Sequence, residues 1–75
     1  MARSSRYLVV CLKNGGYDVS LERRKIYVAI PDATASKHGL VRIVDESGED
    51  YLYPSEYFAS VELPTSVRRA VLTAA

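Results

Sequence analysis

The sequence predicts a mainly β domain, five short strands rolled into a small barrel, with a short C-terminal α-helix. Three observations predict it. Runs rich in β-branched and aromatic residues recur along the chain, each ended by glycine, proline or a polar turn. After Leu63 the apolar spacing changes to three and four. The chain has only 75 residues, and a single domain of that size buries roughly 60% of its unfolded surface, so closing the sheet is the simplest way to hide its edges.

The first strand is Tyr7 to Leu12, too short for a helix and apolar enough to be covered on both faces; Asn14-Gly15-Gly16 breaks it. Lys25 to Ile30 alternates, with Ile26, Val28 and Ile30 on one face and Lys25, Tyr27 and Ala29 on the other, until Pro31 stops it. Asp32 then caps a turn of helix through His38, and Gly39 supplies the left-handed residue that ends it. Leu40 to Asp45 is the third strand, Glu46-Ser47-Gly48-Glu49 a hairpin connection, and Asp50 to Tyr53 the fourth strand, halted at Pro54. Phe58 to Leu63 is the fifth. Pro64 suits a helix start, and Leu63, Val67, Ala70, Val71 and Ala74 give residues 64–74 one apolar stripe. Residues 1–5 read as a flexible tail to a single domain.

Tyr53-Pro54-Ser55-Glu56-Tyr57-Phe58, preceded by a hairpin glycine and followed by Ala59-Ser60-Val61, resembles the end of a Src-homology-3 domain. There an apolar residue, proline, serine, a polar residue and tyrosine make one tight helical turn before the last strand. The resemblance implies an SH3-like five-stranded barrel in which Pro54 and Tyr57 occupy groove positions. The chain is also similar to short bacterial proteins that share the SGEDYLYP and YF core, which implies a bacterial source.

Composition narrows the function classes. The longest early apolar run is shorter than a signal-peptide core and far from the roughly 20 residues that cross a bilayer. A lone cysteine, Cys11, cannot make an internal disulfide, which fits a reducing, cytoplasmic setting without a membrane partner. Catalysis is poorly provided for: His38 lies alone in a turn, Cys11 sits in an apolar strand, and no phosphate-cradling glycine loop or nucleophile motif occurs. No cofactor is expected. Asp45, Ser47, Glu49, Tyr51, Tyr53 and Glu56 match the odd and last positions of a calcium loop, but the sixth position, which needs glycine, holds Asp50. A hairpin with its carboxylates in water accounts for that stretch, and no metal site is expected.

A non-catalytic interaction module is therefore expected, binding a protein or peptide on a shallow surface near Tyr7, Tyr27, Tyr51, Pro54 and Tyr57, since tyrosine offers both ring area and a polar tip. Charge supplies an alternative. Residues 1–42 carry eight Lys/Arg against three Asp/Glu, and residues 43–67 carry six Asp/Glu and no Lys/Arg. Arg23, Arg24, Lys25, Arg68 and Arg69 could grip the phosphates of RNA or DNA if folding gathers them. A third alternative is a regulator that pairs with a second copy of itself, through an open strand edge or the Val67–Leu72 helix face.

Overall fold

The computed structural model describes residues 6–74; the tail expected over residues 1–5 lies outside them. The chain runs β1 (Tyr7–Cys11), β2 (Ile26–Ile30), α1 (Ala33–Lys37), β3 (Leu40–Val44), β4 (Asp50–Pro54), a 3-10 turn (Ser55–Tyr57), β5 (Phe58–Ser60) and α2 (Thr65–Ala74). All pairings are antiparallel, in the order β4-β3-β2-β1-β5. The first four strands form a meander, and the 3-10 turn carries the chain back to set β5 beside β1.

Local chemistry explains the boundaries. The Asp32 carboxylate accepts a hydrogen bond from the Ala35 N–H at 3.0 Å and caps α1. Gly39, at φ 71°, takes the left-handed conformation that frees the chain for β3. Pro54 closes β4 opposite Leu40, where a missing N–H is harmless because β4 is an edge strand. β5 is shorter than the run Phe58 to Leu63 suggests: Phe58, Ala59 and Ser60 pair with Cys11, Val10 and Val9, and one further bond, from the Val61 N–H to the Leu8 carbonyl at 3.0 Å, ends the contact. The expected closure is not complete: β4 and β5 are both edges and do not pair with one another.

The core lies on one face. Val9, Cys11, Tyr27, Ala29, Ile43 and Tyr53 point into it from the sheet, and Leu21 enters from the long β1–β2 loop. Leu8 and Val28, also buried, point to the opposite face. There α2 runs with Val71 beside Ile26, Val28 and Val44, and the Arg68 guanidinium donates to the Arg6 carbonyl at 2.7 Å. A helix of this length is unstable alone in water; Val71 supplies its apolar contact with the sheet, while Val67 and Ala70 of the expected stripe stay exposed.

Candidate functional site

The β1–β2 loop has no periodic pattern, and its position is set by what it touches. The Leu12 and Lys13 N–H groups both donate to the Tyr57 carbonyl, at 2.7 and 3.3 Å, and the Glu46 N–H donates to the Ser20 carbonyl at 3.1 Å. The first two bonds tie the start of the loop to the 3-10 turn, and the third draws its far end onto the β3–β4 hairpin. The Tyr17 ring then meets Tyr53 edge-on, with centroids 5.0 Å apart, and Tyr57 at 6.1 Å, in the T-shaped geometry that aromatic quadrupoles favour. The Tyr57 hydroxyl donates to the Gly15 carbonyl at 2.9 Å.

Between loop and hairpin opens a cleft of about 600 Å³, lined by Tyr17, Val19, Ser20, Asp45–Ser47 and Tyr51–Tyr53. A buried polar network holds its wall. The Asp45 carboxylate accepts from the Ser47 N–H at 2.9 Å, the Ser47 hydroxyl at 2.6 Å and the Tyr53 hydroxyl at 2.5 Å. Burial acts to raise the Asp45 pKa, but the bonds from Ser47 and Tyr53 outweigh it and hold the carboxyl below its ordinary range. Beside it, the Glu46 carboxylate accepts from Lys25 and from the Tyr27 hydroxyl, both at 2.6 Å, and is likewise held low.

Of the five residues expected to share a binding surface, the structure brings only Tyr51 to this cleft. Tyr27 turns into the core: its ring is 5% exposed, and its hydroxyl is engaged with Glu46 and with the Glu22 N–H. The strand alternates apolar residues on both faces, and burying Tyr27 gives its hydroxyl two partners. Tyr7 lines a different groove, with Pro31, Asp32, Arg42 and Ser55. Pro54 ends β4 away from the cleft, and Tyr57 supports the cleft from below through Tyr17. Tyr17, Val19 and Leu52 escaped sequence reasoning. The signal available for the first two was an aromatic and a β-branched residue just past Gly15-Gly16 with no strand to join.

The basic residues are divided. Arg23 and Arg24 occupy the turn before β2, with the Arg24 N–H bonded to the Cys11 carbonyl at one end of β1. Arg68 bonds the Arg6 carbonyl at the other end, about 15 Å away along a strand of five residues. Arg69 is exposed on α2, and Lys25 is paired with Glu46. His38 is exposed at the C-cap of α1. Cys11 is buried, and burial pushes its thiol pKa up, which suppresses the reactive thiolate.

No protein-family profile, curated protein or solved structure matches this chain.

The polar network fixes how the tyrosines titrate. Burial, with a carboxylate as hydrogen-bond acceptor, raises the pKa of Tyr27 and Tyr53, and the bond to Glu49 raises that of exposed Tyr51. A raised folded-state pKa means that the stability these phenols carry is complete below the unfolded value of about 10 and is lost as pH rises through the folded value. Absorbance titration should therefore show Tyr27, Tyr51 and Tyr53 ionising above the free-phenol range, with alkaline unfolding setting in there. One step for all six tyrosines at the free-phenol pKa would contradict the network.

Proposed function

We propose that this chain is a non-catalytic interaction module, a partly open SH3-like barrel of the cytoplasm that binds an extended protein or peptide segment in the cleft between the β1–β2 loop and β4. The strand order, with β5 returning to β1, and the 3-10 turn at Ser55–Tyr57 support the architecture. One observation carries the binding reading: Tyr17, Val19, Tyr51 and Leu52 stand 38%, 91%, 49% and 40% exposed around a single cleft with buried Tyr53 among its walls. A contiguous apolar patch with a few polar groups at its rim is what recognition sites present. The chain has no tryptophan, the residue that walls proline ligands in the family it resembles, so tyrosine and aliphatic contacts take its place.

The test is fluorescence anisotropy of labelled proline-rich, cationic and anionic peptides against wild type, Val19→Ser and Leu52→Ser. Both side chains are exposed, so the variants should melt with wild type while each weakens binding about tenfold, the equivalent of about 1.4 kcal/mol. Wild-type affinity in both, with loss on charge reversal at Arg23 and Arg24, would favour nucleic-acid-type contacts instead.

A further inference from the structure

Among the described residues, β4 has a neighbour on one side only. Two hydrogen bonds fix which of its backbone groups are free. The Asp45 N–H donates to the Glu49 carbonyl at 3.0 Å and the Ser55 N–H to the Gly39 carbonyl at 2.9 Å. Between these points the register pairs Ile43 with Tyr51 and Val41 with Tyr53. An antiparallel ladder alternates bonded and non-bonded pairs, so Tyr51 and Tyr53 bond to β3. The N–H and C=O groups of Asp50 and Leu52 then point outward, and Pro54, which has no N–H, ends the available edge.

That edge borders the apolar cleft, since Leu52 belongs to both. Its surroundings are negative. Five carboxylates, Asp32, Asp45, Glu46, Glu49 and Asp50, face three cations, Lys25 on Glu46, Arg42 shared by Asp32 and Asp50, and Arg6 beside Glu49 and Asp50, which leaves two negative charges. Among the described residues, the Glu49 carboxylate accepts one side-chain hydrogen bond, from the neutral Tyr51 hydroxyl. Arg6 meets Glu49 and Asp50 in a groove on the other face of the sheet, beside Val28 and Val44. A second copy of the chain would bring the same carboxylates opposite these, and like charges facing each other across strands destabilise pairing.

We infer that the ligand of this cleft is an extended cationic peptide segment that adds to the β4 edge as a sixth strand, bonding the backbone of Asp50 and Leu52. Its apolar side chains enter the cleft between Val19 and Leu52, and its lysines or arginines, on the alternate face, lie against Glu49 and Asp50. The inference rests on the cleft being the binding site. Main-chain bonds supply affinity and the alternating side chains supply selection, as in other strand additions.

The test uses the full chain with a capped octapeptide of alternating lysine and valine, its glutamate–valine counterpart, and two N-methylated forms, one methylated at every valine and one at every lysine. The cationic parent should bind, the glutamate peptide should not, and one N-methylated frame should lose at least about tenfold in affinity while the other keeps it. Amides of Asp50 and Leu52 should gain protection from hydrogen exchange. Raising salt from about 0.01 M to about 0.15 M, which shortens the Debye length from about 30 Å to about 8 Å, should weaken binding severalfold. If Leu52→Ser still abolishes binding but both methylated frames bind like the parent, the strand addition is overturned and the cleft stands. If no peptide of either charge binds, the cleft falls as well. Protection of the same two amides in free protein as its mass doubles would assign the edge to a second copy and overturn the cationic ligand.

Discussion

Truncating Ile43 to Ala should cost about 2–5 kcal/mol of folding stability. Ile43 of β3 is 0% exposed, packed in the cluster that holds Val9, Cys11, Tyr27, Ala29 and Tyr53. The substitution removes three buried carbons and leaves a space that the sheet cannot close, because β3 is held by ladders to β2 and β4 on both sides. A small domain has roughly 0.05–0.15 kcal/mol of stability per residue, so the loss is a large share of the whole. Each kcal/mol moves the midpoint by roughly 4–8 °C at this size, and a fall of at least about 8 °C is expected in a thermal melt. Val19→Ser, on an exposed loop, should leave the midpoint in place. A shift for Ile43→Ala no larger than that for Val19→Ser would mean the core lies elsewhere.

The second large effect belongs to Asp45→Ala. This carboxylate is 7% exposed and serves three donors, of which the Tyr53 hydroxyl is itself buried. Removing it strands that hydroxyl without an acceptor, at about 1–3 kcal/mol, and releases the Ser47 turn that shapes the cleft. Two comparisons separate the polar bond from packing. Asp45→Asn keeps one acceptor oxygen and should recover part of the loss. Adding Tyr53→Phe to Asp45→Ala removes the orphaned hydroxyl and should recover more, so the double-mutant cycle should show coupling. Because the folded pKa of Asp45 is lowered, the stability it contributes is present above the ordinary carboxylate range and disappears as pH falls through the folded value. Wild type and Asp45→Asn should therefore converge in acid. Strict additivity in the cycle, or a gap that widens on acidification, would remove Asp45 from the account.

Much of the architecture is legible in the chain because it is locally encoded. Asp32 caps α1, Gly39 ends it, Pro31 and Pro54 mark strand ends, and the Ser55–Tyr57 turn falls inside the YPSEYF segment. What escaped depends on contacts distant in sequence. Alternation in Ile26 to Ile30 offers two apolar faces, and only the acceptor at Glu46, brought in by β3, decides that Tyr27 points inward. Tyr17 and Val19 lie in a loop without period, placed by the Ser20 carbonyl on Glu46 and by the Tyr53 ring. The charge blocks are legible as composition, but their pairing is not: Lys25 finds Glu46 across the sheet, while Arg24 and Arg68 end at opposite ends of β1.

The central claim is that recognition takes place where the β1–β2 loop meets β4. Amide-shift mapping of the labelled protein during titration with a lysine–valine peptide tests it most directly. The largest changes should fall on Tyr17, Val19, Ser47, Asp50, Tyr51 and Leu52, with Tyr7, Arg23, Arg24 and Arg68 unmoved. Changes confined to the Arg23–Arg24 turn and α2, or to the groove of Tyr7 and Pro31, would contradict it.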